Sequence, residues 1–177
     1  MLKIREVSQE DFDPIFHVVE EAFRNADHAS HKEQYIVTKL RASKEYIPGL
    51  ELVGEIDGKI IGHILLTKAF VDEKYETLIL GPFSILPNFQ NKGYGRLLIN
   101  AAHQKAIELG HKTIVLVGHS WLYPKFGYKR LSTYNIKMPF PCPDENVFGI
   151  ELVPGGFDGI TGILRFSDGF NADEETQ

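Results

Sequence analysis

Cysteine is almost absent from this sequence: Cys142 is the one cysteine among 177 residues. A single cysteine cannot form an internal disulfide, and it cannot supply the cysteine pairs of a structural metal site. Cys142 lies between prolines in the segment PFPCPDE, without a neighbouring base that would activate its thiol. The sequence therefore predicts an intracellular protein and offers no cysteine framework for a metal.

Long apolar runs are missing as well. No stretch approaches the roughly 18 residues of a membrane-spanning helix, and the start, MLKIREVSQEDF, does not resemble a signal peptide. Hydrophobic residues make up 43% of the chain and charged residues 24%, which is the balance of an ordinary water-soluble domain. We therefore expect a cytoplasmic protein with no membrane partner.

An excess of basic residues is the third absence. The formal net charge is −5, and it falls to about −1 without four carboxylates near the end of the chain: Asp168, Asp173, Glu174 and Glu175. Because binding to nucleic-acid phosphates requires concentrated Lys and Arg, nucleic acid is not an expected partner. The acidic tail, residues 167–177, is predicted to be a solvated, frayed terminus.

The first elements are a short strand and a helix. The segment LKIREV alternates as a strand does, and apolar residues recur at helical spacing from Phe12 onward. Two helix starts fit the sequence. Ser8 and Asp11 have the spacing of a capping box, whereas Asp13 can cap a helix whose first residue is Pro14.

A weaker second helix and an antiparallel meander come next. Residues 25–42 contain this helix, which is predicted in the segment HKEQYIVTKLRA. Two strand-like runs then meet at Asp57 and Gly58, a dipeptide typical of a tight β-hairpin. A third run, residues 76–86, adds another strand to the meander.

The second half predicts a helix between parallel strands. An apolar stripe over residues 94–109 ends at Gly110, and a buried-looking strand follows at residues 113–117. The strand before this helix should therefore pair with the strand after it in parallel. A last strand is predicted near residues 128–138, and two further strand-like runs follow Pro139.

The length fits a single domain, residues 1–177. Within it we distinguish a core of about residues 2–138, a proline- and glycine-containing extension of residues 139–166, and the acidic tail. Neither an internal repeat nor a linker divides the chain.

A polar turn, LPNFQNKGYGRLL at residues 86–98, stands directly before the second-half helix. Pro87 ends the preceding strand because it has no N–H to donate. Backbone N–H groups from Gln90 to Arg96 then approach the positive end of a helix dipole, and Lys92 adds charge. The turn therefore predicts an anion site, although an ordinary glycine-rich turn has the same composition.

This turn resembles the acetyl-CoA-binding motif of the GNAT N-acetyltransferases, V-x-P-x-x-[RQ]-x-x-G-x-[GA]. The matching residues stand at fixed spacing: Ile85, Pro87, Gln90, Gly93 and Gly95. The later segment LYPKFGYKR resembles the closing motif of the family through a second set: Leu122, Tyr123, Lys125, Gly127 and Tyr128. The resemblance covers residues 2 to about 138, and the extension is similar to that of the YhbS-like subgroup.

The resemblance implies an α/β (α+β) GNAT fold, in which helices flank a central mixed, mostly antiparallel, splayed sheet that carries a C-terminal extension. It also implies an enzyme that transfers an acetyl group from acetyl-CoA, its co-substrate, to a primary amine by direct attack. A small-molecule amine is favoured over a protein amine as the acceptor. In this family, late strands can also form a homodimer.

The resemblance places the cofactor pyrophosphate on the turn amides and the pantetheine arm between two splayed strands. The implied cofactor-binding residues are Ile85, Leu86, Gln90, Asn91, Lys92, Gly93, Tyr94, Gly95 and Arg96. The backbone N–H of Ile85 would stabilise the oxyanion of the reaction. Tyr123 would be the general acid that protonates the leaving thiolate, and its alternative role is that of a core tyrosine in an aromatic cluster.

The general base stays open. The candidates are Glu20, Glu21, His28, His31, His63 and His119. Many family members also carry an Asn on the strand before the tyrosine, whereas the segment LVGHSWLY has none, and His119 or a main-chain group can take its place. The alternative function is therefore a non-catalytic acyl-CoA-binding regulatory module.

Overall fold

A mixed sheet of nine strands organises residues 1–171, the part of the chain that the computed structural model describes. Residues 172–177, which include Asp173 and the two glutamates of the predicted tail, lie outside it. The strands are β1 Lys3–Glu6, β2 Tyr46–Ile56, β3 Lys59–Val71, β4 Tyr75–Ile85, β5 Thr113–Val117, β6 Lys129–Arg130, β7 Ile136–Lys137, β8 Val147–Glu151 and β9 Gly162–Phe166. Most neighbouring strands are antiparallel, which confirms the predicted fold class.

Helices cover both faces of this sheet: α1 Phe12–Phe23 and α2 Glu33–Arg41 on one face, and α3 Tyr94–Glu108 on the other. Ile15 and Val19 of α1 are fully buried, because they face the apolar side of β2 and β3. In the described residues, no helix is both long enough and apolar enough to cross a membrane.

The start of α1 follows the first of the two predicted alternatives in part. A 3-10 turn, Gln9–Asp11, precedes the helix, and the Asp11 carboxylate accepts a hydrogen bond from the Ser8 N–H at 2.8 Å. Asp13 is not the N-cap, because α1 already begins at Phe12 and Pro14 is its third residue. Proline is tolerated there, since the first N–H groups of a helix have no partner inside it.

The predicted hairpin between β2 and β3 is confirmed. Asp57 and Gly58 have φ angles of 51° and 79°, the left-handed conformation that a type I′ turn requires at both central residues. The next strand, β4, carries a one-residue bulge at Gly81 and Pro82, where Ile64 faces Phe83 but Leu66 faces Leu80.

The parallel pairing of β4 with β5 is also confirmed, and it is short. Within residues 1–171, Leu78 pairs with Ile114 and Ile79 with Val115, and β4 then continues to Ile85 without β5 beside it. The two strands therefore diverge toward their carboxyl ends. This divergence leaves a gap next to the end of β4.

The strand predicted near residues 128–138 is wrong as a continuous element. A 3-10 turn, Leu131–Tyr134, and a left-handed Asn135 with φ of 59° divide it into β6 and β7. Strand β8 from the extension pairs with β5, and β6 pairs with the far side of β8. The extension is therefore part of the main sheet.

The predicted frayed tail is also wrong for residues 167–171. Ser167 is buried, and a 3-10 turn, Asp168–Phe170, packs against α2. The Phe170 ring lies edge-on to Phe166 with centroids 5.4 Å apart. An aromatic anchor thus holds this segment on the fold.

Candidate active site

The turn between β4 and α3 presents backbone N–H groups to the surface. Asn91 and Gly93 have φ angles of 60° and 87°, so the chain reverses sharply before α3 begins. The helix ladder starts with the bond from Leu97 N to Gly93 O at 3.3 Å. The N–H groups of Tyr94, Gly95 and Arg96 lie before Leu97 in the first turn of α3, so they have no acceptor within the helix. A Cβ added at Gly93 would meet no atom of residues 1–171 within 4 Å.

Two cations flank these amides, and aromatic rings orient both of them. The Lys92 ammonium lies 5.8 Å from the Phe89 ring centroid, and the Arg96 guanidinium lies 5.1 Å from that of Phe126. Arg96 also donates to the Lys125 carbonyl oxygen at 3.2 Å. Arg96 therefore connects the turn to the segment that carries the predicted acid.

The Ile85 N–H faces the gap between β4 and β5. Ile85 lies opposite Gly62, and Leu86 N donates to Ile61 O at 2.8 Å, which makes Gly62 and Ile85 a non-hydrogen-bonded pair. The N–H and C=O of Ile85 are therefore directed away from β3. The carbonyl accepts from the Gln90 side chain at 2.9 Å.

The structure brings most of the predicted cofactor residues together. Ile85 and Tyr123 belong to the same buried cluster beneath α3, and Leu86 and Tyr94 pack against it. Gln90 contacts the end of β4, whereas the Asn91 and Lys92 side chains are exposed at the outer edge of the turn. The predicted acid thus lies on the same sheet face as the amide-rich turn.

The Tyr123 side chain is buried, with 8% of its surface exposed. Its ring contacts Tyr128 and Phe148 at centroid distances of 5.8 and 6.1 Å, so it is a member of the aromatic cluster. Burial raises the pKa of Tyr123 above that of a free phenol, which keeps the hydroxyl protonated. Within the described chain, no protein group hydrogen-bonds this hydroxyl.

Tyr128 differs from Tyr123 in its hydrogen bond. The Tyr128 hydroxyl and His103 Nε2 are 2.8 Å apart. Burial lowers the pKa of His103 to about 4, so the ring is neutral near pH 7 and can accept the phenolic proton. Tyr128 is therefore engaged internally, whereas the Tyr123 hydroxyl is left for a ligand.

Gly118 fixes the position of the Tyr123 ring. It follows β5, and a Cβ at this position would clash with the Cε2 and Cδ2 atoms of Tyr123. Glycine is therefore required at Gly118 for the ring to pack against the end of β5. Sequence reasoning missed this residue, although it stands in the segment LVGHSWLY, where the expected Asn is absent.

The base candidates are widely separated. Glu20 and His31 line one groove between α1 and α2, while Glu21 forms an ion pair with Arg24 at 2.7 Å. His28 is exposed in the loop that joins the two helices. None of these side chains belongs to the cluster of Ile85 and Tyr123 among the described residues.

The last two base candidates, His63 and His119, differ in their surroundings. His63 is fully buried and donates from Nε2 to Glu51 at 2.9 Å. His119 stacks on the exposed Trp121 with ring centroids 5.3 Å apart, just before Tyr123. His119 is therefore the base candidate nearest to Tyr123 in the chain, and His63 is a structural residue.

A buried ionic cluster formed by Arg41, Tyr46, Glu51 and His63 was not predicted. The Glu51 carboxylate accepts from Arg41 at 2.6 Å, from Tyr46 at 2.8 Å and from His63. Burial alone would raise the pKa of Glu51, but the hydrogen bonds from His63 and Arg41 outweigh it and lower the pKa to about 2. This Glu51 cluster lies on the α1 and α2 face of the sheet.

A metal-dependent site has no support in the described residues. No three His, Cys, Asp or Glu side chains among residues 1–171 lie close enough together to hold an ion. The groups available for chemistry are backbone amides, a buried phenol and scattered bases. Such a set fits the binding of an anionic cofactor and the donation of a proton.

Known proteins share this fold. The chain has a TM-score of 0.86 to the crystal structure of YhbS from Escherichia coli in complex with CoA, at 21% identity, covering 96% of this chain and 92% of that one. A GNAT family acetyltransferase from Brucella melitensis, in complex with acetyl-CoA, has a TM-score of 0.79 at 28% identity and covers 96% and 98%.

Sequence comparisons agree with the fold. The chain is 32% identical over 143 residues to the uncharacterized N-acetyltransferase YjhQ of Escherichia coli (strain K12), covering 77% of this chain and 79% of that protein. The model of the acetyltransferase (GNAT) family matches residues 12–128. With the splayed sheet, the amide-rich turn and the buried tyrosine in place, the chain belongs to the GNAT family of acetyltransferases.

Proposed function

We propose that this chain transfers the acetyl group of acetyl-CoA to a primary amine by direct attack. The observation that carries the proposal is the Ile85 N–H, which faces the gap between β4 and β5 beside an amide-rich turn. The related acetyltransferase from Brucella melitensis, 28% identical, was crystallised with acetyl-CoA. We expect the same co-substrate here, and we expect residues 1–177 to act as one domain in the cytoplasm.

The residues of the turn fit the anionic part of acetyl-CoA. The N–H groups of Tyr94, Gly95 and Arg96 lie at the positive end of α3, and the open space at Gly93 lets a phosphate approach the backbone. Lys92 adds a positive charge at the edge. The gap between β4 and β5 would receive the pantetheine arm along the free edge of β4.

The Ile85 N–H would act on the thioester carbonyl. When the amine nitrogen bonds to the carbonyl carbon, negative charge develops on the carbonyl oxygen, and a fixed N–H donor stabilises it. The carbon–sulfur bond then breaks, and the electron pair leaves on the thiolate. The reaction yields an amide and free CoA thiol without an enzyme nucleophile.

Tyr123 would supply the proton that the thiolate takes. Its phenol is kept protonated by burial, and within the described chain its hydroxyl has no protein partner. The amine loses a proton to a base directly or through water, and Tyr123 regains its own from solvent. His119 is the base candidate that we favour, since it precedes Tyr123 in the same loop.

The acceptor in our proposal is a small-molecule amine rather than a protein amine. The nearly neutral body of the chain repels neither class of amine. A homodimer through late strands is part of the same proposal.

A non-catalytic acyl-CoA-binding module is the alternative. The absence of an Asn before Tyr123 and the scattered bases favour it. Thiol release from acetyl-CoA in the presence of a panel of primary amines separates the two functions. The enzyme predicts amine-dependent release and an acetylated product by mass, whereas the module predicts binding of acetyl-CoA by calorimetry with no release above the amine-free rate.

A further inference from the structure

A groove of about 230 Å³ lies between the end of α1 and the start of α2. We call it the helix groove, and its lining residues are Glu20, Arg24, His31 and Gln34. Since a water molecule occupies about 30 Å³ in the liquid, the groove has room for a small polar group and its hydration. None of these residues takes part in the acetyl transfer described above.

Gln34 is the residue that points to a ligand. Its side chain is 5% exposed, and its Oε1 has no hydrogen-bond partner within residues 1–171. The Nε2 of the same amide donates weakly to His31 O at 3.5 Å. A buried carbonyl oxygen without a donor is costly, so a ligand that donates a hydrogen bond here is favoured.

The other polar atoms of the groove make it a site for a cation. The Arg24 guanidinium is already paired with Glu21 at 2.7 Å, so its charge is offset. His31 Nδ1 donates to Phe23 O at 2.9 Å, which leaves Nε2 as an acceptor in the neutral ring. Glu20 contributes a carboxylate that is 40% exposed. The ring of the exposed His17 lies 3.9 Å from it.

From the course of α1 we infer that the helix groove lies toward the carboxyl end of β4. The start of α1 is level with Glu51, because Arg41 contacts both the Phe12 ring and the Glu51 carboxylate. From that level α1 extends about 18 Å. Along β3, the position opposite Ile85 is about 10 Å from the position opposite Glu51. Phe23 and Leu86 pack against the same cluster and α1 contacts β4, which supports a course of α1 toward the end of β4.

We propose that the helix groove binds a second, non-reacting ammonium group of the acceptor, so that the preferred acceptors are small diamines. The proposal rests on the proposed acetyl transfer. The reacting amine would approach the gap at Ile85 from the α1 and α2 face, opposite α3, while Glu20 and Gln34 accept hydrogen bonds from the other ammonium. The groove then sets acceptor specificity without touching the thioester.

The test compares matched amines. Acetylation of 1,5-diaminopentane and pentylamine, and of 1,3-diaminopropane and propylamine, is measured with the full chain and saturating acetyl-CoA. We expect kcat/KM to be about tenfold higher for at least one diamine than for its monoamine, the effect of one charge-assisted hydrogen bond. Glu20→Gln and Gln34→Leu should each remove most of this preference.

Glu10→Gln is the matched control, because Glu10 is exposed beside the opposite end of α1 and should leave the diamine preference unchanged. The KM for acetyl-CoA should be the same in all variants. Equal kcat/KM for diamine and monoamine, or a preference that survives both groove variants, would overturn the proposal.

A failure of the proposed acetyl transfer gives a different result, since no amine would then be acetylated at all. In that case calorimetry with 1,5-diaminopentane tests directly whether the helix groove binds a cation. Binding that is lost in Glu20→Gln and kept in Glu10→Gln supports a cation site. Absence of binding to the native chain overturns it.

Discussion

Polar groups are used in opposite ways on the two faces of the sheet. In the amide turn, which we define as residues 86–96, the N–H groups of Tyr94, Gly95 and Arg96 are not used by the helix ladder and face outward. In the Glu51 cluster, the carboxylate accepts hydrogen bonds from three side chains and is 1% exposed. Groups left without protein partners can bind a ligand, whereas groups paired internally stabilise the fold.

This comparison predicts that changes in the amide turn alter acetyl-CoA binding at nearly constant stability. Changes in the Glu51 cluster should lower stability and leave acetyl-CoA binding nearly unchanged. The first two of the four variants that follow test this separation, and the other two test the ligand-facing group at Tyr123.

Gly93→Asp should have the largest effect. A carboxylate about 4 Å from a phosphate costs about 4 kcal/mol at an effective dielectric constant of 20, so acetyl-CoA affinity should fall about 10³-fold. Calorimetry with acetyl-CoA measures the loss. Gly110→Asp is the control at the other end of α3, because the φ angles of 87° and 91° match and neither added Cβ meets an atom of residues 1–171 within 4 Å. Equal affinity in the two variants would show that the turn binds no phosphate.

Glu51→Gln should lower the free energy of unfolding by about 3 kcal/mol near pH 7, because the shift of the Glu51 pKa from 4.5 to about 2 is lost. A carboxyl group whose pKa is lowered by folding stabilises the fold at pH values above its pKa in the unfolded chain. The native chain should therefore lose this contribution as the pH falls from about 4.5 to 2, while the variant should not.

Urea unfolding at several pH values measures the effect of Glu51→Gln. Glu76→Gln is the control, since Glu76 forms an exposed pair with Lys68 at 3.4 Å and should change stability by less than about 0.5 kcal/mol. The folded Glu51→Gln variant should bind acetyl-CoA as the native chain does. A loss of affinity there would contradict the separation of the two regions.

Tyr123→Phe should lower kcat by about 10², the lower end of the range for a missing general acid. The dissociation constant for acetyl-CoA should not change, since the ring and its contacts are kept. Steady-state thiol release and calorimetry measure the two quantities. Tyr134→Phe is the control. The Tyr134 ring packs on Phe157 in the extension, so this variant should have native kcat. Unchanged kcat in Tyr123→Phe would assign Tyr123 to the core alone.

Gly118→Ala should have the smallest effect, a decrease in kcat of about tenfold, because the added methyl group displaces the Tyr123 ring. The informative measurement is the double variant with Tyr123→Phe. If Gly118 acts by positioning the hydroxyl, the second substitution should change kcat little once that hydroxyl is gone. Additive losses would mean that Gly118 affects the site by another route.

Local sequence patterns predicted the parts of the fold that depend on neighbouring residues. The hairpin at Asp57 and Gly58 follows from a backbone conformation that few residues adopt, and the turn before α3 follows from fixed spacing around Gly93. The candidate cofactor residues therefore lie where the sequence predicted them. Their contacts with acetyl-CoA and the role of Tyr123 stay predictions.

Features that depend on strand register could not be predicted. Glu51 and His63 meet because the register of β2 and β3 makes them diagonal neighbours, and Arg41 reaches Glu51 from α2. The same limit applies to Gln34, whose burial depends on how α2 packs against α1. The interruption at Asn135 was missed because it separates β6, which pairs with β8, from β7, which pairs with β9, and both partners come later in the chain.

The position of β8 has a consequence for how the chain folds during synthesis. Strand β8 begins at Val147, after β5, β6 and β7 have all been made, yet it lies between β5 and β6 in the sheet. A nascent chain that ends before Val147 therefore exposes the edge of β5, and open strand edges invite pairing with other chains. Completion of the sheet therefore waits for a segment that is translated after three of the strands it joins or follows.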